Sequence, residues 1–428
     1  MPSKKHLTRR RFVQASASLA AAPYFVPASA LGRDGNPAPS ERITLGVIGL
    51  GGQGKGNMNQ FLGFDDCQVV AVCDVDAQRV QEAAHAVHKK YGNADCKQYA
   101  DFRELTARPD IDAVVISTPD HWHALTALAA VRSGKDVYCE KPITHTFEEG
   151  RLLADAVAKH QRIWQTGSQQ RSGFNFRWGV ELVLNGHIGK LQHVEVGLPA
   201  GNAGGKAPEP TQPPPGFDYD MWCGPSPVLP YIAQRVHYNW RWVLQYGGGQ
   251  LMDWIGHNND IAHWAMGMDD SGPIEVQAKG TFPPAEDLYN AATNYRIRCR
   301  YANGVTSTIS STWALGTTWY GSEGWVHVFR GEFEASNPAW TKKDFDRGPI
   351  KAYESANHHR NFIDCIKSRK PTICPAEASH RAITPGHLGM VAMQTGRPIK
   401  WDPKAERIVG DDAAQELLRF KPRGPWKV

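Results

Sequence analysis

The stretch "LGVIGLGGQGKGN", residues 45–57, decides the fold of this chain. A short apolar run ends at Gly49, and Gly49-Leu50-Gly51-Gly52-Gln53-Gly54 leads directly into residues 55–62, which can begin a helix. A Gly-x-Gly-x-x-Gly match is weak alone and specific where strand meets helix, because each glycine then has a task. Gly49 permits the tight turn, Gly51 lets backbone approach a pyrophosphate, and Gly54 lets helix and strand pack closely. The helix N-terminus faces the phosphates. Gly49, Gly51, Gly52, Gln53 and Gly54 are therefore expected to cradle a dinucleotide.

Working outward, "CQVVAVCDVD" at 67–76 is a second strand, followed by a helical stretch over 77–90, a strand in "DAVVISTP" (112–119), a helix over 121–133 and a strand in "DVYCEKP" (136–142). Strands alternating with helices argue an α/β domain with a doubly wound parallel sheet. Asp74 ends the second strand 20 residues after Gly54, where the fingerprint places an acid on the adenosine ribose hydroxyls. A carboxylate there repels a 2′-phosphate, which favours NAD over NADP. Arg79 tempers that preference, since an arginine in this region can accept the phosphate.

Two further stretches fall at the carboxyl ends of later strands, where such folds bind ligands. They are "STPDHWHA" (117–124) and "CEKPIT" (139–144), and a third, "GGGQLMDWIGHNNDIAHW", follows at 247–264. With these motifs in this order the chain resembles, over about residues 41–395, the Gfo/Idh/MocA family of NAD(P)-dependent oxidoreductases. The resemblance implies a Rossmann domain over 41–165 and a C-terminal α+β substrate-binding domain over 166–400 with a large, mostly antiparallel open sheet. Residues 401–428 are left as an arm. It also implies cofactor contacts from Thr118, Pro119, His123, Glu140 and Lys141, and places Lys141, Asp253 and His257 at the substrate beside the nicotinamide.

The chemistry of those three residues can also be read directly. Asp253 and His257 are four apart, so on a helix they share a face and the carboxylate can orient the imidazole. A histidine so held is a general base for the proton that leaves a carbinol as hydride leaves its carbon. Lys141 supplies a cation beside the reacting oxygen. Asp260, one turn beyond His257, is expected to bind another hydroxyl.

Fourteen tryptophans add aromatic faces, and Tyr231, His237, Tyr238 and Arg241 are candidate sugar contacts. The segment Gly167-Ser168-Gln169-Gln170-Arg171 resembles that of the NAD-dependent glycosidases of the same superfamily, which points to Arg171 at the substrate. His121 and His123 form a His-x-His pair with no third ligand at clear spacing, so no metal is expected, and His358-His359 reads as helix surface within a helical stretch over 354–369. The Pro/Gly-rich residues 199–220 cannot be a regular element and read as a lid or an oligomer arm. "IEVQAKGTF", "TNYRIRCRYANGVTSTISSTW" and "EGWVHVFRG" alternate as β-sequence. The resemblance implies a homo-oligomer formed through that sheet.

Residues 1–30 have a basic start, an alanine-rich run and Ala28-Ser29-Ala30, the form of an export signal. Thr8-Arg9-Arg10-Arg11-Phe12 within them resembles the twin-arginine motif, whose route carries folded proteins. The expected location is periplasmic or otherwise exported, with no membrane anchor. Removing the signal takes Lys4, Lys5, Arg9, Arg10 and Arg11 and no acid from a chain of 48 Lys and Arg against 43 Asp and Glu. The mature chain is formally neutral, which excludes nucleic acid as the expected partner and leaves a small neutral carbohydrate or polyol. Eight cysteines without a Cys-x-x-Cys pair read as buried thiols.

Outside the cytoplasm free NAD has no dependable supply, so an exported enzyme is expected to keep its cofactor bound and restore it in each cycle. Two reactions meet that demand. One oxidises a sugar, sugar derivative or polyol and reduces a second carbonyl compound. The other is glycoside hydrolysis by transient oxidation, elimination, water addition and re-reduction. A non-catalytic sugar or nucleotide sensor is a third class on the same fold.

Overall fold

The computed structural model describes residues 38–427, so the export signal expected at 1–30 lies outside the described residues. The first half alternates strictly: β1 (Ile43–Ile48), α1 (Gly52–Leu62), β2 (Cys67–Cys73), α2 (Ala77–Tyr91), β3 (Lys97–Tyr99), α3 (Phe102–Thr106), β4 (Ala113–Ile116), α4 (Asp120–Arg132), β5 (Asp136–Cys139), α5 (Phe147–Lys159) and β6 (Trp164–Thr166). The six strands are ordered β3-β2-β1-β4-β5-β6 and every pair is parallel. This is the doubly wound order, which opens a crevice where the order reverses, between β1 and β4. β4 and β5 are buried along their whole length, as strands covered by helices on both faces must be, and so their sequence is continuously apolar rather than alternating.

Helix starts follow local chemistry. Asp76 caps α2 by accepting from the Gln78 and Arg79 N–H groups, and Thr146 and Glu149 form a reciprocal capping box on α5. α1 has no side-chain cap at Gly51, which leaves its first N–H groups free for a ligand.

The second half contains α6 (Phe174–Leu184), β7 (Leu191–Gly197), α7 (Tyr219–Cys223), α8 (Gly249–Met266), β8 (Glu275–Thr281), β9 (Asn294–Arg300), β10 (Thr306–Ser310), β11 (Gly316–Gly321), β12 (Trp325–Phe329), β13 (Glu332–Ala335), α9 (His358–Ser368), α10 (Ala376–Thr395), β14 (Ile399–Asp402), β15 (Arg407–Ile408) and α11 (Asp412–Glu416). Its nine-stranded sheet runs β13-β12-β11-β7-β10-β9-β8-β14-β15, antiparallel except between β7 and β10. The burial of β9 alternates strictly, Tyr295, Ile297 and Cys299 facing inward, so that this sheet covers one face with helices and leaves the other open.

Three expectations change. The stretch after 400 is not a bare arm, because β14 and β15 extend the large sheet and α11 follows. Residues 207–246 cross back to the first half, with the Ala77 N–H donating to the Gly216 carbonyl at 2.9 Å and the Asp218 N–H to the Val75 carbonyl at 3.0 Å. His358 and His359 are not helix surface. Both are buried, His358 Nε2 lying 2.8 Å from the Thr166 carbonyl and His359 stacking on Tyr138. All eight cysteines are buried and free. Among the described residues no helix is long and apolar enough to cross a membrane.

Candidate active site

A cavity of about 600 Å³ opens at the crevice between β1 and β4. The glycine loop forms its floor. Gly49 adopts φ +84°, and a Cβ there would stand 2.6 Å from the Ser117 backbone, while a Cβ on Gly54 would stand 1.8 Å from the Gly49 carbonyl oxygen. No side chain fits at either position, so the turn and the close start of α1 both require glycine. Gly51, Gly52 and Gln53 line the cavity with Asp74, Thr118, Pro119, His123, Glu140 and Lys141. The Asp74 carboxylate accepts from the Leu50 N–H at 2.6 Å and the Asp76 N–H at 3.0 Å, so it fixes the glycine turn as well as facing the cavity. Burial pushes it above the usual carboxylate range, against those two N–H bonds and Arg79. Arg79 lies across the loop, its Nη1 3.2 Å from where a Gly51 Cβ would be, and its other nitrogens meet Asp76 and His237. The uncapped helix start, the glycine cradle and the buried, unpartnered Thr118 hydroxyl fit a dinucleotide.

Buried side chains lock the loops. His123 puts Nδ1 2.7 Å from the Pro142 carbonyl and Nε2 3.0 Å from the Thr118 carbonyl, tying the loop after β4 to the loop after β5. Burial pushes its pKa down to about 4, against the pull of those two carbonyls. Glu140 accepts from Gln53 Nε2 and Asn57 Nδ2, both at 2.9 Å. Expected cofactor residues from two motifs 87 positions apart are thus in direct contact. His121 is held between the Trp222 and Tyr246 carbonyls, and among the described residues no group of three or more His, Cys, Asp or Glu could hold a metal ion.

α8 packs its Asp253 against Lys141 of the loop after β5. Lys141 Nζ donates to Asp253 Oδ1 at 2.8 Å and to the Asp253 carbonyl at 2.8 Å, and Arg241 Nε donates to the same Oδ1 at 3.1 Å. Burial would raise Asp253, but Lys141 and Arg241 outweigh it and hold the carboxylate down at about 2. His257 lies one turn on. Its Nδ1 is buried without a partner, and its ring packs edge-on against Trp254. Burial, reinforced by Lys141 and Arg330, drives His257 well below the ordinary histidine value, so the ring is neutral in the folded protein.

Two expected substrate contacts are corrected. Arg171 donates to Asp260 through Nε and Nη2, both at 2.8 Å, and to Asp269 through Nη1 and Nη2. Arg171 and Asp260 are 2% and 1% exposed. They satisfy each other inside the second domain, because a charge this deep is retained only when paired. The Asp253 carboxylate makes no hydrogen bond to His257 and is turned to the two cations instead. Of the aromatic candidates, His237, Tyr238 and Arg241 line the cavity, Tyr238 remaining 65% exposed with Arg241 over its ring, whereas Tyr231 packs between Phe217 and Tyr219.

Sequence reasoning read 199–220 as a lid or an oligomer arm but did not single out the residues that form the roof. Phe217, Met221, Trp222 and Trp240, from residues 207–246, line the cavity opposite the glycine loop, and Trp122 carries Trp426 of the C-terminal arm edge-on at 4.8 Å. It also missed Asp120, which lines the cavity beside Lys141. Its place directly after Thr118-Pro119 was the available signal.

Residues 43–168 match the profile of the oxidoreductase family's NAD-binding Rossmann fold, and residues 156–428 match its C-terminal alpha/beta domain. Myo-inositol 2-dehydrogenase of Thermotoga maritima is 24% identical over 385 residues, 86% of this chain and all of that protein. Alpha-N-acetylgalactosaminidase of Shewanella oneidensis is 32% identical over 162 residues, covering 36% of this chain and 34% of that protein. Among solved structures, scyllo-inositol dehydrogenase from Lactobacillus casei with bound NAD(H) and scyllo-inositol superposes with a TM-score of 0.59 at 18% identity, over 84% of this chain and 99% of its own.

Proposed function

The chain belongs to the Gfo/Idh/MocA family of NAD-dependent oxidoreductases, and from that premise we propose that it acts on a sugar, sugar derivative or polyol with its NAD held through the whole cycle. The observation that carries this reading is the ion pair between Lys141 and Asp253, at the end of the dinucleotide cavity and one turn before a neutral His257. When bound, NAD accepts a hydride from a carbinol carbon and can return it. The chain supplies the rest. Lys141 meets the oxygen as charge grows on it, and Asp253 keeps Lys141 and Arg241 in place. His257 takes the proton. The glycine loop with Asp74 holds the adenosine half, while Thr118, Pro119, His123 and Glu140 shape the wall at the nicotinamide half.

Retention is supported by the roof. Residues 207–246 are bonded to the stretch after β2 and bury an aromatic cluster of Phe217, Tyr219, Trp222, Tyr231, Trp240 and Tyr246 beside the cavity. Phe217, Trp222 and Trp240 of that cluster line the cavity itself and would pack against a bound cofactor. Export by the twin-arginine route, domains at 41–165 and 166–400, and self-association through the open face of the large sheet complete the reading.

Glycoside hydrolysis through the same transient oxidation uses the same residues, and the partial match to an N-acetylgalactosaminidase supports it as the second reading. Cofactor fluorescence separates the enzymatic readings from a sensor. A sugar or polyol added to the purified protein should convert bound NAD to the reduced form, and binding without conversion would overturn both.

A further inference from the structure

Asp120 opens α4 and is 2% exposed. One carboxyl oxygen, Oδ2, faces the Gly247 backbone, 3.2 Å from where a Gly247 Cβ would stand, and the nearby Gly248 N–H favours the charged form of the carboxyl. The other, Oδ1, is buried with no partner in a residue that lines the cavity beside Lys141 and Arg241. The charged groups around it are Lys141 from the loop after β5, Arg241 from the roof and Asp253 from α8, while on its own helix the His121 and His123 rings are turned to carbonyls. Asp253 takes the direct bonds of both cations.

The two carboxyls are therefore driven apart. Burial, with the neighbouring Asp253 charge, lifts Asp120 well above the ordinary carboxylate range despite Arg241, Lys141 and the Gly248 N–H. Asp253 stays ionised. A pair of titratable groups separated in this way marks an acid and a base or anchor in one site. A simple dehydrogenase moves one proton at one oxygen, and a neutral His257 already serves that need. A second group that holds a proton has its use at a second oxygen.

We propose that Asp120 is a catalytic acid that protonates the oxygen leaving from the carbon next but one to a transiently formed ketone. The inference rests on the NAD-dependent reading above and selects its redox-neutral branch, with a glycoside or related ether of a sugar as substrate class. With the ketone in place, and the carbinol proton handed on from His257 to solvent, which returns it when the ketone is reduced again, the proton on the intervening carbon passes to His257 and its electron pair forms the C=C bond. The C–O bond breaks toward oxygen, which takes the Asp120 proton. Water then adds its oxygen to the far carbon and its proton to Asp120, and His257 returns its proton to the intervening carbon. The net change is R–O–R′ plus water giving two hydroxyl compounds, and NAD ends as it began.

The test compares wild type with Asp120→Asn on aryl glycosides of graded leaving-group acidity, recording bound-NAD fluorescence and release of the phenol. Asp120→Asn should keep its melting temperature, its NAD and the fluorescence change. It should lose phenol release by about a hundredfold or more on poor leaving groups and far less on the most acidic ones, the range a positioned acid supplies. The wild-type-minus-variant infrared difference at neutral pH should show the loss of one protonated-carboxyl component. Equal phenol release by the variant, or a uniform loss across the series, overturns the role of Asp120. No fluorescence change in wild type overturns the NAD-dependent reading instead. Should the variant not fold, wild type decides: phenol release must fall as pH rises through the raised carboxyl pKa while the fluorescence change does not, and the same profile for both contradicts the proposal.

Discussion

Asp253 Oδ1 is shared by Lys141 Nζ at 2.8 Å and Arg241 Nε at 3.1 Å. One carboxylate on α8 thus places a cation from the first domain's cofactor wall and a cation from the roof over the cavity. Replacing Asp253 by Asn should leave both cations without a shared counter-charge and lower kcat/KM by about 10²-fold or more, with bound NAD retained. Steady-state kinetics alongside cofactor content checks this, and unchanged turnover would remove Asp253 from the chemistry.

Arg171 and Asp260 behave in the opposite way. Breaking a buried pair by removing one partner leaves an uncompensated charge, at a cost of roughly 3–5 kcal/mol. Arg171→Met should shift the urea midpoint strongly while KM for substrate in the surviving folded protein stays put. A large KM change at unchanged stability would return Arg171 to the substrate.

His123 gives a pH signature. Its folded pKa, about 4, lies below the unfolded value near 6.5. Below about 6.5 the unfolded chain binds a proton there that the folded chain does not, so this group's contribution to stability declines as pH falls from about 6.5 toward 4 and is flat above. The stability advantage of wild type over His123→Gln should therefore narrow across that window. Denaturant melts at pH 7.5 and pH 5 measure it, and a constant difference would contradict a folded pKa below the unfolded one.

Trp426 packs on Trp122, Arg103 lies over the Trp426 ring, and Trp122 lines the cavity. Deleting residues 419–428 should loosen that wall and speed NAD release without changing which sugars reduce the bound cofactor. Stopped-flow dissociation of NADH, compared with the full chain, reports the change directly.

The first half was legible because its signals are local. The glycine loop, Asp74 and the apolar strands each combine a motif with a length that allows one element, and the structure places β1, α1, β2 and α2 within a few residues of the expected bounds. α10 was missed because Pro385, Gly386 and Gly389 interrupt any helical pattern in its sequence, yet Gly386 and Gly389 are where Ile255 and Ile297 pack closest. Arg171 and Asp260 were misplaced for a related reason. A charged residue near a motif reads as a ligand contact from sequence, and only the fold shows that its partner lies 89 positions away. The roof over residues 207–246 carries no periodic signal, since apart from the short α7 its backbone is held by turn bonds within the segment and by two bonds to the stretch after β2.

The claim on which the rest depends is that NAD stays in the cavity. The direct measurement is to purify the mature protein, denature it, and quantify NAD(H) and NADP(H) released per chain. Close to one NAD(H) per chain with little NADP(H) is the expected result. A protein that emerges empty and binds NAD only weakly, or that carries NADP(H) instead, would contradict the roofed, self-restoring site.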